Sequence, residues 1–138
     1  MTEPPVRGSC LCGRVVFQVA PPFARFVHCH CSRCRKSSGA SHATNIAVRA
    51  DQFAWIAGDD GLDHFLLPSA ARFGKSFCRV CGCPMPRRLP GTDLMVLPAG
   101  SLDDAIAFAP SEHLFWGSRP AWGCSSSGLP AHDGAAPA

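Results

Sequence analysis

The sequence predicts a mainly β protein folded as a single domain, on three observations. Thirteen prolines and thirteen glycines break the 138 residues into short runs. No segment keeps an apolar stripe at the 3.6-residue helical period for three turns. A hydrophobic content of 46% over this length supplies one core and hardly two.

The strands follow in order from the turn residues that bound them. Residues 14–19 run from Gly13 to the Pro21-Pro22 pair, and residues 25–31 from there to Ser32. Residues 44–48 lie between Ser41 and Asp51, residues 63–67 between Gly61 and Pro68, and residues 72–77 between Ser69 and Gly82. Residues 94–97 lie between Gly91 and Pro98, and residues 112–116 between Pro110 and Gly117. Ser101-Leu102-Asp103-Asp104 reads as a turn or one helical turn, with Ser101 placed to cap the amides after it. From Gly117 onward Gly, Ser, Pro and Ala dominate, which taken alone reads as a loosely ordered tail. No repeat of solenoid length is present, although two cysteine-rich patterns recur.

Nothing approaches the roughly 20 apolar residues of a membrane span. Residues 1–22 lack the basic and then apolar segments of an export signal, so a cytoplasmic location is expected. Nine cysteines in such a chain then point to metal rather than to disulfides: the count is odd, and clustered thiols in a reducing compartment more often hold metal. The formal charge of +3 counts every cysteine as neutral. Seven thiolates on two divalent ions would bring it to about zero, so the basic pI of 8.5 gives no argument for a nucleic-acid partner.

The cysteines fall into Cys10-Leu11-Cys12-Gly13, Cys29-His30-Cys31 continuing into Cys31-Ser32-Arg33-Cys34, and Cys78-Arg79-Val80-Cys81-Gly82-Cys83, with Cys124 apart. Two cysteines at i and i+2 of an extended segment face one side, so each C-x-C offers two thiolates to one ion. The C-x-x-C-G step bends the backbone around a metal, and Gly82 supplies the positive φ such a turn needs. Cys10, Cys12, Cys78 and Cys81 thus make a closed set of four ligands, as in structural zinc sites. Cys29, Cys31 and Cys34 supply three thiolates and leave one position for water or substrate, as in catalytic sites. A second closed site, completed by Cys83, Cys124 or a histidine, stays open at this point. His28 and His30 point away from the metal if Cys29 and Cys31 share a strand face. Arg33, Arg35 and Lys36 read equally as a solvated loop offsetting thiolate charge and as a clamp for an anionic substrate. Phe115, Trp116 and Trp122 read as core or rim packing.

These motifs resemble one family. Gly8-Ser9-Cys10-Leu11-Cys12-Gly13, the run from His28 through Cys29, Cys31 and Cys34 to Ala40, Phe77-Cys78-Arg79-Val80-Cys81-Gly82, and Gly100-Ser101-Leu102-Asp103 are similar, in the same order, to the signature of the glutathione-dependent formaldehyde-activating enzymes, a group that also includes centromere protein V. His113-Leu114-Phe115, Pro120-Ala121-Trp122 and Ser127-Gly128-Leu129-Pro130 resemble its ending. The similarity covers about residues 7–133, leaving 1–6 as an N-terminal extension and 134–138 as a tail, and it implies that residues beyond Gly117 are ordered. Leu11 stands where polar residues are common, and Cys83 adds a thiol; neither removes a ligand.

The resemblance implies a β-tent fold on a zinc-ribbon-like core and two zinc ions per chain. Cys10, Cys12, Cys78 and Cys81 would be structural ligands, and Cys29, Cys31 and Cys34 catalytic ones. It further implies a carbon-sulfur lyase-type reaction joining glutathione to formaldehyde as S-hydroxymethylglutathione. A thiol of pKa about 8.5 is about 3% ionised at pH 7, so ionisation alone yields at most roughly 30-fold. Positioning must supply the rest, which calls for a cleft near Cys34, with Arg35 and Lys36 as candidate grips for the glutathione carboxylates. The competing readings are a non-enzymatic zinc module that binds protein or nucleic acid, and a related enzyme acting on another thiol or small electrophile.

Overall fold

The computed structural model describes residues 3–123 and 128–135. Among the described residues, eleven short strands and one α-helix make it mainly β, as expected. Three sheets carry the fold. In the first, β1 (Val6–Ser9), β2 (Val16–Val19) and β5 (Phe53–Ala57) lie side by side. The second has the order β11-β3-β4-β10-β9, with β3 (Arg25–Cys29) against β4 (Ala43–Arg49), β4 against β10 (Leu94–Pro98), β9 (Arg87–Arg88) on one edge and β11 (Glu112–Leu114) on the other. The third joins β6 (Leu62–Leu66), β7 (Gly74–Cys78) and β8 (Pro84–Met85). All pairings are antiparallel except β11 with β3.

Alternation along the strands sets the core. In β2, Phe17 and Val19 point inward and meet Val15, Ile46, Val48 and Leu97, all fully buried. Phe17 also explains Gly8. A Cβ at that position would lie 2.3 Å from a ring carbon of Phe17 and 2.7 Å from the Ser101 carbonyl oxygen, so only glycine lets the strand approach this closely. Around that contact two distant motifs join: Gly8 bridges Leu102, Ser9 Oγ donates to Asp103 at 2.7 Å, and the Arg7 amide donates to Asp104 at 2.8 Å.

Each of the seven expected strands is present, with ends shifted by a few residues. The change that matters for the thiols concerns residues 25–31: β3 stops at Cys29, and Cys31 instead caps helix α1 (Ser32–Ser38), its sulfur accepting the Cys34 amide at 3.3 Å. Ser101 also differs from expectation. Its hydroxyl donates backward to the Pro98 carbonyl at 2.7 Å rather than capping the amides after it, and a 3-10 turn over Ala99–Ser101 takes the place of a helical turn starting there. Beyond Gly117 the chain closes a turn, Gly123 N–H to Pro120 carbonyl at 2.9 Å, with Gly123 packed beside Ser41. Cys124 lies outside the described residues. Among the described residues no helix is long and apolar enough to cross a membrane.

Candidate metal centres and the adjoining cleft

Two hairpin-like knuckles build the first thiol cluster. Cys10-Leu11-Cys12-Gly13 turns into β2, with Gly13 at φ 81° and its N–H on the Cys10 carbonyl at 3.0 Å. The segment after β7 turns the same way: Gly82 adopts φ 73° and donates to the Cys78 carbonyl at 2.7 Å, the left-handed turn expected after the second cysteine. The four sulfurs of Cys10, Cys12, Cys78 and Cys81 all lie within 4.8 Å of one another. Cys10 and Cys12 are 3.6 Å apart, Cys12 and Cys78 3.8 Å. A tetrahedron with sulfurs about 2.3 Å from its centre has edges of about 3.8 Å, so these spacings suit one ion, whereas a disulfide would need about 2.0 Å. Cys10 and Cys78 are also core residues, so the cluster is continuous with the packing around Phe17.

The second cluster is built by the end of β3 and the start of α1. Cys29 is the last strand residue, Cys31 the helix cap, and Cys34 sits in the first helical turn; their sulfurs too lie within 4.8 Å of one another. Gly39 ends the helix at φ 68°. All eight cysteines in the described residues are free, and Cys83 joins neither group.

The electrostatics of both clusters call for a cation. Backbone hydrogen bonds from Cys12 and Cys83 hold the Cys81 thiol down to about 6. A backbone hydrogen bond at Arg14 favours the Cys12 thiolate, but partial desolvation and the neighbouring thiols outweigh it, and Cys12 is pushed up to about 11. In the second cluster, burial and then the Cys29 and Cys31 thiols push Cys34 far up. Burial opposes ionisation of Cys31 as well, yet its hydrogen bonds, the Cys34 amide first, hold it below the usual thiol range. Each cluster therefore favours ionisation at some thiols, Cys10 and Cys81 in the first and Cys31 in the second, and resists it at others, the conflict that a bound cation removes. Amides aimed at sulfur, Val15 to Cys10 and Cys34 to Cys31 at 3.3 Å each, are partners typical of thiolates on a metal. The residues present fit a metal ion in both places.

Neither His28 nor His30 joins the thiols. His28 Nδ1 lies 2.9 Å from Thr44 Oγ1, and buried His30 pairs through Nε2 with His113 Nδ1 at 2.8 Å. With His42 these rings form a second cluster, against which Trp116 packs edge-on over His30, itself covered by the Arg119 guanidinium at 4.0 Å. Trp116, Phe115 and Trp122 are rim residues, all exposed.

Cys34 opens on a cleft of about 420 Å³, within the usual range for small-molecule sites of about 300–1,000 Å³. Among the described residues its cations are Arg72, Lys75 and Arg87, and no acidic side chain lines it. Lys75 donates to the Ser37 carbonyl at the end of α1; burial lowers its pKa, while the nearby Cys34 and Cys83 thiols work the other way. Arg87 is half-buried and donates to the Arg72 carbonyl at 2.5 Å. Arg35 and Lys36 lie on α1 beside Cys34 but do not line the cleft. The lining cations and His42 carry no motif of their own, arriving from the loop before β7, from β7, from β9 and from the residue before β4, so only the folded chain assembles them.

Comparison with known proteins bears on the fold and the family. A crystal structure of a Rhodobacter sphaeroides protein has the same fold, with a TM-score of 0.61 over 78% of this chain and 98% of that one at 21% identity. A Halomonas elongata protein whose name is that of the family already resembled is 31% identical over 127 residues, 85% of this chain and 78% of that protein. Residues 5–118 match the family described as glutathione-dependent formaldehyde-activating enzyme. The chain belongs to that family.

Proposed function

We propose that the protein is a zinc enzyme that joins the thiol of glutathione to formaldehyde, giving S-hydroxymethylglutathione, and catalyses the reverse carbon-sulfur cleavage. One observation carries this reading: a three-thiol cluster opens through Cys34 on a cleft with three cations and no acid. An all-sulfur donor set favours zinc, which takes four such ligands in a structural role and three in a catalytic one. On this reading Cys10, Cys12, Cys78 and Cys81 hold the first ion, in the zinc-ribbon-like core of a β-tent. Cys29, Cys31 and Cys34 hold the second. Zinc bound there supplies Lewis acidity, favouring the ionised thiol or polarising the aldehyde oxygen.

The chain's own groups do the positioning. Arg72, Lys75 and Arg87 take the substrate carboxylates, with Arg35 and Lys36 adding positive potential from the helix behind Cys34. Fixing the carboxylates aims the thiol at the three-cysteine centre, and bimolecular encounter becomes effectively intramolecular. Residues 7–133 form this unit, with 1–6 and 134–138 as extensions. A reducing cytoplasm suits free thiols in such number.

Glutathione should raise the melting temperature of the zinc-loaded protein, and S-methylglutathione should do so much less, because a ligand that prefers the native state stabilises it. Exchange between free and hydroxymethylated glutathione, followed by NMR, should accelerate in the same samples. Equal stabilisation by both compounds, or no acceleration, contradicts the proposal.

A further inference from the structure

Joining a thiol to an aldehyde moves a proton from sulfur to the new hydroxyl oxygen, so the cleft needs a group that can take a proton and return it. Among its lining residues Cys34 belongs to the three-thiol cluster, Lys75 is engaged as a donor to the Ser37 carbonyl, Arg72 and Arg87 are donors, and Asn45 and the hydroxyls of Ser37, Ser38, Thr44 and Ser76 are poor bases. His42 is the remaining candidate. We infer that His42 is the proton-transfer group of the reaction, positioned by Thr44; the inference rests on the thiol and aldehyde reading above.

The hydrogen bonds fix which ring nitrogen is left to accept a proton. His42 Nδ1 lies 3.3 Å from the Ala43 carbonyl oxygen and 3.3 Å from Thr44 Oγ1. A carbonyl only accepts, so Nδ1 carries the hydrogen and Nε2 of the neutral ring is left as a bare acceptor. Thr44 Oγ1 is itself held by His28 Nδ1 at 2.9 Å, and the His42 ring packs on His28 at 4.3 Å and on His30 at 5.0 Å between centroids. The backbone is tied as well: Ser38 Oγ donates to the His42 carbonyl at 3.3 Å, linking it to the helix that carries Cys34.

The step balances without any further reactant. His42 Nε2 takes the thiol proton, the sulfur electron pair forms the bond to the aldehyde carbon, and the carbonyl π pair moves onto oxygen. The proton then passes from Nε2 to that oxygen, giving the hydroxymethyl thioether and restoring the neutral ring. The reverse reaction uses the same atoms in the opposite order.

The test uses the zinc-loaded full chain and NMR exchange of glutathione with formaldehyde. His42→Ala should lower kcat by about 100-fold or more. It should keep the metal content and the glutathione-induced melting shift of the wild type, and recover activity as imidazole is added. Thr44→Val should lower kcat with little change in KM, and Thr44→Ser should restore it. Full activity in His42→Ala overturns the inference. So does a loss that imidazole does not relieve, or one that tracks lost metal. A wild-type protein that does not accelerate the exchange overturns the glutathione reading and this assignment with it, whereas an active wild type beside an equally active His42→Ala overturns this assignment alone.

Discussion

Cys78→Ser should leave a chain that does not fold. Cys78 is 1% exposed and packs in the core, and its sulfur sits 3.8 Å from that of Cys12, 66 residues earlier in the sequence. The substitution removes one ligand from the clamp that joins the knuckle before β2 to the knuckle after β7. Binding of a structural zinc is worth about 10–16 kcal/mol in small domains, comparable with the whole stability of a domain at about 5–15 kcal/mol. Circular dichroism should show the loss of sheet signal, and the protein should collect in the insoluble fraction. A soluble variant with native spectrum and melting temperature contradicts a structural role for this cluster.

Cys31→Ser should behave differently because Cys31 lies at a helix cap rather than in the core. Serine is itself a favoured cap, so its hydroxyl can accept the Cys34 amide that the sulfur accepts now, and α1 keeps its first turn. The variant should be folded, hold about one zinc per chain, and lose thiol-dependent turnover, since two remaining thiolates cannot hold the ion with a position free for substrate. Collapse of the fold as complete as that of Cys78→Ser, or two zincs with full activity, contradicts the division of roles between the clusters.

Both cysteine clusters were legible from spacing because their geometry is local. C-x-C and C-x-x-C-G fix ligand directions within a few residues, and the positive φ of Gly82 follows from the same turn. Helix α1 was not legible. It spans seven residues with no buried side chain, hence no apolar stripe, and its N-cap is a cysteine, whose sulfur fills a place usually held by a Ser, Thr, Asp or Asn oxygen. β1 escaped for a related reason: one of its two inward positions is Gly8, which leaves Val6 alone as the apolar signal. The cleft was the least legible feature. Arg72, Lys75, Arg87 and His42 converge only through the pairing of separate sheets, whereas Arg35 and Lys36, adjacent to the cysteines in sequence, stand outside it.

The most direct measurement is the zinc content per folded chain, taken by elemental analysis after purification without chelator and repeated on Cys31→Ser. Two metal-fitting clusters of four and three thiols predict two zinc ions in the wild type and about one in the variant. A reproducible value of one in the wild type would contradict the account, leaving Cys29, Cys31 and Cys34 as thiols without a metal and the cleft beside them without its chemistry.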